Sequence, residues 1–195
     1  MRAVSDQRIA GVVLAAGLSS RLGRPKQIEV LDGETLVERA VRLAIEAGLS
    51  PVIAVILDGE LIRRLQAMGA VPLLNRRTYE GLSSSIRVGV QAVQPTDVDG
   101  LVLMTCDQVA LTCDHLRALC EDRLHVAGSM YSGRVGVPAY FPRQQFDALT
   151  KLEGDKGARE LLRGVRAVVC EELALDVDTE ADLERAKVFV ASRRK

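Results

Sequence analysis

The sequence predicts an α/β protein, three layers deep, with helices on both faces of a mostly parallel, Rossmann-like sheet. Three observations predict it. Short apolar runs alternate with helical periodicities from about residue 8 to 123, the texture of a parallel sheet with crossover helices. The runs are apolar throughout and not at every second residue, as in strands covered on both faces. Aromatic residues are only 3% of a chain that is 48% hydrophobic, and Trp is absent, so Leu, Val, Ile and Ala must build the core. A length of 195 residues suits one domain, or one with a small lobe.

Each element follows in order. Ile9 to Ala16 is a short apolar run that ends in a Gly/Ser-rich stretch, a buried strand and then a loop. Asp32-Gly33 signals a tight turn between Gln27–Leu31 and the next helix. Leu36, Ala40, Leu43, Ala44 and Ala47 recur at helical spacing, and Gly48 stops them. Val52–Leu57 is a second strand; Leu61, Ile62, Leu65 and Met68 mark a short helix ended by Gly69; Ala70–Leu74 is a third strand. Ser83–Val93 reads as a helix with Ser at its start, Leu101–Thr105 as a fourth strand, and a helix begins near Cys113 with Thr112 as its cap.

From about residue 124 the texture changes. Val126–Met130 and Val137–Phe141 flank a hairpin at Ser132–Gly136. Helices at Gln144–Leu149 and Lys156–Arg163 and a strand near Ala167–Cys170 follow, and Thr179 with Asp182 forms a capping box for the last helix. The expected organisation is one domain with a nucleotide-binding half at about 8–123 and an acceptor-side half at about 124–195. The final Ser-Arg-Arg-Lys reads as a solvated tail.

Composition excludes several classes. Twenty-six basic residues balance 26 acidic ones, so there is no global field to hold nucleic acid or an anionic membrane. A phosphorylated ligand must be held by a local cluster. Cys106, Cys113, Cys120 and Cys170 form no CxxC pair, which argues against a zinc site and for reduced thiols packed as small hydrophobes. No apolar run approaches the ~20 residues needed to span a bilayer. Ile9–Leu18 behind Arg2 and Arg8 has the outline of a leader, but it runs straight into the loop below and is needed as the first strand. The expectation is a cytoplasmic protein.

The stretch from Leu14 to Lys26 carries the chemistry. Gly17 permits a tight turn that aims amides at an anion. Ser19 and Ser20 add hydroxyls, Arg21 offers a planar fork for phosphate oxygens, and Pro25 stiffens the approach of Lys26. One loop thus supplies amides and two cations, as a triphosphate requires. The spacing is neither GxxxxGK[ST] nor GxGxxG.

This stretch resembles the signature LAAGxSxRxGxxK of the MobA-like nucleotidyltransferases, which include the molybdenum cofactor cytidylyl- and guanylyltransferases. It agrees at Ala16, Gly17, Ser19, Arg21, Gly23 and Lys26. The resemblance implies a GT-A-like fold of the nucleotide-diphospho-sugar transferase type, with Leu14, Ala15, Ala16, Gly17, Ser19 and Ser20 on the nucleotide. Asn75 to Val90 resembles the family's N…G…SSxxxG segment, which implies base contacts at Gly81 and Ser85. Met104 to Val109 resembles its metal-binding strand end, with Val109 in place of the usual Pro, so that Asp107 would bind Mg²⁺. Asp176–Thr179 resembles the end motif DIDTPEDL, which implies Asp178, in preference to Asp176, as a second ligand. Gly133–Phe141 resembles the G…G.P..F hairpin that borders the acceptor. Gly154 to Arg159 resembles GDxGAR, which implies Lys156 and Arg159 as acceptor-phosphate contacts.

The implied reaction transfers NMP from an NTP to a phosphorylated small molecule and releases pyrophosphate. Arg21 would hold the β,γ-phosphates and Lys26 the α-phosphate. In the resembled family LAAG accompanies cytidylyl transfer, so Ala15-Ala16-Gly17 implies CTP, with a molybdopterin-type cofactor as acceptor and a molybdoenzyme or its chaperone as a further partner. GTP, a sugar or alcohol phosphate as acceptor, and a non-catalytic molybdopterin carrier stay open as alternatives. A carrier has no need of Arg21, Lys26 and Asp107 together.

Overall fold

A computed structural model describes residues 8–155 and 157–193. Its chain runs β1 (Ile9–Ala15), β2 (Val30–Leu31), β3 (Glu34–Thr35), α1 (Leu36–Glu46), β4 (Val52–Ile56), α2 (Ile62–Ala67), β5 (Val71–Leu74), α3 (Leu82–Val93), β6 (Gly100–Thr105), α4 (Cys113–Leu119), β7 (Ala127–Tyr131), β8 (Arg134–Pro142), α5 (Phe146–Thr150), β9 (Arg166–Val169) and α6 (Glu180–Ser192). The seven-stranded sheet has the order β5-β4-β1-β6-β8-β7-β9. β5, β4, β1 and β6 are parallel neighbours, β8 runs antiparallel to β6 and β7, and β7 is parallel to β9. The expected three-layer, mostly parallel sheet is present.

Both faces of the sheet are covered, which explains the unbroken apolar runs. On one face Val13, Ala54, Val102 and Met104 pack with Val37, Val41 and Ala44 of α1 and Leu116 and Leu119 of α4. On the other, Val12, Leu14, Val55, Leu101 and Leu103 meet Ile86, Val90 and Val93 of α3 and Phe146 and Leu149 of α5. All seven residues of β1 are buried. Gly89 lets α3 lie close on this face, since a Cβ there would stand 2.4 Å from the Val12 side chain.

A third cluster lies off the sheet. Leu31, Leu36, Val109, Val177, Leu183 and Ala186 join α6 and the β2–β3 hairpin to the segment after β6. The Asp32-Gly33 turn closes that hairpin, with φ of 59° and 83° at its two residues, as a tight two-residue connection requires. Val109 is thus a buried packing residue, and its carbonyl accepts from Arg39 Nη2 at 3.1 Å.

Three local expectations need correction. α3 is capped by Gly81 (φ 88°), and no serine hydroxyl takes an amide at its start; Ser84 Oγ instead donates to the Gly81 carbonyl at 2.8 Å. The segment expected as a helix over Lys156–Arg163 is a 3₁₀ run over Gly157–Leu162, set off by Gly154, Gly157 and Gly164 at φ of 65°, 58° and 70°. The expected helix at Gln144–Leu149 begins as a 3₁₀ turn, Arg143–Gln145, before α5. Of the tail, Arg194 and Lys195 lie outside the described residues; Ser192 closes α6 and Arg193 caps it. Among the described residues no helix is long and apolar enough to cross a membrane.

Candidate active site

From β1 the chain passes outward to β4 and β5, then returns to the other side of β1 as β6. The loops after β1 and β6 therefore diverge from adjacent carboxyl ends, where open α/β sheets place their ligands. A cleft of about 390 Å³ opens there. It is lined by Leu14, Ala15, Ala16, Gly17, Ser19, Ser20 and Lys26, by Gly81 and Ser85, and by Asp107. The nucleotide-contact residues implied by the sequence thus converge on one cavity from two separate segments, with the implied metal ligand Asp107 on a third.

The loop after β1 holds itself in shape. Ser19 adopts φ of 52° and its carbonyl accepts the amides of Leu22 and Gly23, both at 3.1 Å. Ser19 Oγ accepts the amide of Lys26 at 3.0 Å, so this hydroxyl braces the loop. The positive backbone angles of the loop fall at Ser19 and Gly23 (φ 76°) and not at Gly17. Nothing lies within 4 Å of where a Gly17 Cβ would be, so the glycine keeps the loop open towards a ligand. Arg24 ties the loop to α6 through Glu180 at 2.7 Å and also pairs with Glu29 at 2.6 Å.

Lys26 is the centre of the charge arrangement. Its ammonium donates to Asp107 Oδ2 at 2.5 Å and to Asp178 Oδ1 at 2.8 Å, and its side chain is only 15% exposed. Burial alone would lower its pKa, but the charge and hydrogen bond of Asp107, and then Asp178, hold it above the usual lysine range. Arg21 donates from Nη2 to Asp178 Oδ2 at 2.5 Å and is otherwise largely exposed. Asp107 and Asp178 come together because the Val177 amide donates to the Asp107 carbonyl at 3.1 Å, and Asp176 bridges to Gln108. Burial, then the charges of Asp107 and Asp178, push the Asp176 carboxyl up. The Cys106 thiol is buried and pushed up to about 12, which leaves it protonated and unsuited to nucleophilic attack.

Part of the site was not anticipated. Gln27, Thr78 and Asp155 also line the cleft. Asn75 is buried behind it, donating from Nδ2 to Ser84 Oγ at 2.8 Å and Ser85 Oγ at 2.9 Å. Its position in the quoted serine-rich segment was the available signal. Arg159 is exposed on the 3₁₀ run and does not line the cleft, and Lys156 lies outside the described residues. What the Gly154–Arg159 segment does bring is a contact with the start of α3: Gly154 O accepts the Ser83 amide at 3.1 Å and Asp155 Oδ1 the Leu82 amide at 3.3 Å.

Comparison with known proteins gives the family and the fold. Residues 11–172 match the model of the MobA-like NTP transferase domain. Purine catabolism protein PucB of Bacillus subtilis is 31% identical over 167 residues, 80% of each chain. A probable molybdenum cofactor guanylyltransferase of Opitutus terrae is 38% identical over 84 residues, 43% of this chain and 38% of that one. The crystal structure of Rv0371c from Mycobacterium tuberculosis superposes with a TM-score of 0.82 at 32% identity, covering 96% of this chain and all of that one (100%). A structure of Rv0371c with manganese superposes with a TM-score of 0.75 at 29% identity, covering 93% and 99%.

Proposed function

The chain belongs to the MobA-like NTP transferase family, a family of nucleotidyltransferases, and on that premise we propose that it transfers CMP from CTP to a molybdopterin-type cofactor and releases pyrophosphate. One observation carries the reading: the Lys26 ammonium sits between two carboxylates at a cleft walled by Leu14 to Ser20.

An oxygen of the acceptor's phosphate forms a bond to the α-phosphorus, and the bond from that phosphorus to the oxygen bridging to the β-phosphate breaks in line. The nucleophile is already an anion, so no Ser or Cys attack is needed. The barrier lies in bringing anions together, and the chain acts by position and charge. Lys26 turns from the carboxylates to the α-phosphate, and Arg21 holds the β,γ-phosphates. Gly17, open on its cleft side, lets backbone amides approach them.

Asp107 and Asp178 fit a hard divalent cation, since oxygens of both already hold one cationic group. Mg²⁺ bound there would compensate phosphate charge. The manganese complex of Rv0371c supports a divalent ion.

Ala16 supports the pyrimidine. It is buried at 3% exposure and lines the cleft at the position where the LAGG pattern of guanylyl transfer would put glycine. A relative described as a guanylyltransferase favours GTP as the second reading. The test is pyrophosphate release from purified protein with Mg²⁺, molybdopterin-type cofactor and CTP, GTP, ATP or UTP in turn. Release with CTP, abolished in Asp107→Ala, is the expected result. Release with GTP alone would overturn the base, and release undiminished in Asp107→Ala would overturn the metal site.

A further inference from the structure

We propose that Asp155 reads the base: its carboxylate accepts a hydrogen bond from the exocyclic amine, admitting cytosine and rejecting uracil, which presents a carbonyl there. The inference rests on the nucleotidyl-transfer reading and extends it to a residue outside the segments on which nucleotide contacts were expected.

Every cleft-lining residue but one comes from the chain up to Asp107, and the exception is Asp155. It is held there by backbone. Gly154 and Gly81 approach so closely that a Cβ on Gly81 would stand 2.5 Å from the Gly154 carbonyl carbon. The Leu82 amide reaches Asp155 Oδ1 at 3.3 Å. That is a long bond from a neutral donor, and a carboxylate with about four acceptor sites has capacity left. Lys26 and Arg21 mark where the phosphates lie, so the base falls towards the start of α3. A carboxylate in that part of the cleft would repel a phosphate and suits an N–H donor.

A donor lines the same cleft. The Arg77 amide donates to Asn75 Oδ1 at 2.8 Å, which turns the Asn75 NH₂ towards Ser84 and Ser85. Ser84 passes its proton to the Gly81 carbonyl. Ser85, 95% buried (5% exposed), already accepts from Asn75, and its own proton has no acceptor among the described residues. An acceptor and a donor facing one cleft complement the cytosine edge, with its amine and ring N3; uracil reverses both. Sites built to hydrogen-bond a group reject the analogue that lacks it, because the covered partners are left unpaired; Ser85 is already buried, and Asp155, exposed in the open cleft, is covered by the base itself.

The experiment is equilibrium binding of CTP and UTP to the full chain with Mg²⁺ and no acceptor, comparing wild type with Asp155→Asn. The amide keeps an oxygen for the Leu82 amide and offers an N–H to uracil. Wild type should prefer CTP by at least ~30-fold, and the variant by less than ~3-fold, at an unchanged melting temperature. An unchanged ratio would overturn the proposal. So would equal weakening of both nucleotides, which would leave Asp155 only as a cap of α3. If wild type prefers GTP, the cytidylyl reading falls, and Asp155 is judged on GTP against ITP, which lacks the amine; a preference kept in the variant overturns it. Binding of no nucleotide overturns both readings. Asp155→Ser, which keeps a capping oxygen without the charge, should lose the preference too, and retention would count against the proposal.

Discussion

Lys26 bonds to both Asp107 and Asp178, the carboxylates proposed to hold a divalent cation. This makes opposite demands on one substitution. Lys26→Met removes the group proposed to meet the α-phosphate, so turnover should fall by at least ~10²-fold, the scale for losing one electrostatic stabiliser. The same change frees Asp107 and leaves Asp178 with Arg21 alone, so Mn²⁺ should bind the nucleotide-free variant more tightly than wild type, measured by the loss of the free-ion paramagnetic resonance signal. Weaker Mn²⁺ binding by the variant would refute the shared position. Much at this scale was legible. Lys26, Arg21 and Asp107 stand in short patterns whose residue types state their chemistry. Asp155 was not singled out, because a carboxylate in a Gly-rich, charged stretch reads as surface, and only its fold against Gly81 turns it to the cleft.

The start of α1 shows how an element secures its own end. Glu38 accepts from the Thr35 hydroxyl at 2.6 Å and the Thr35 amide at 2.9 Å, completing a capping box, and pairs with Arg64 at 2.7 Å. Burial alone would raise the Glu38 carboxyl, but the Thr35 bonds and then Arg64 hold it below its ordinary value. A depressed carboxyl stabilises the fold above the unfolded value, near 4.5, and the contribution is lost as pH falls through the folded value. Glu38→Gln should therefore cost about 1 kcal/mol at neutral pH. The gap in melting temperature from wild type should close below about pH 4; a gap independent of pH would mean that packing and not charge is lost. The capping box at Thr179 and Asp182 was visible in the sequence because its partners are three residues apart. The 3₁₀ run at Gly157–Leu162 was not, since contacts with α3, 75 residues earlier, shape its start and not its own periodicity.

One sheet runs through both halves of the chain. β8 pairs with β6 over Gly100–Leu103 against Ala139–Pro142, and Tyr140 and Phe141 are fully buried. Heating should give a single transition followed alike by far-ultraviolet circular dichroism and by tyrosine absorbance. A fragment cut after Arg123 would expose the β6 edge and strip Phe141, Phe146 and Leu149 from the core. It should lack the dispersed amide resonances of a fold; a well-dispersed spectrum would show that the halves are independent.

What the sequence by itself determined are the properties carried by neighbours along the chain: apolar runs on both faces of strands, glycine stops, caps, and a loop of amides and cations after β1. Only the tertiary structure decided which distant residues share a cation. Asp107 and Asp178 meet because α6 packs off the sheet with Val109 and Val177, and Asp155 enters the cleft because Gly81 lacks a Cβ. The physical reason is the same in both cases. Local propensity and burial pattern act over a few residues, whereas a site between loops is set by how those loops pack, and that depends on contacts between residues far apart in the chain.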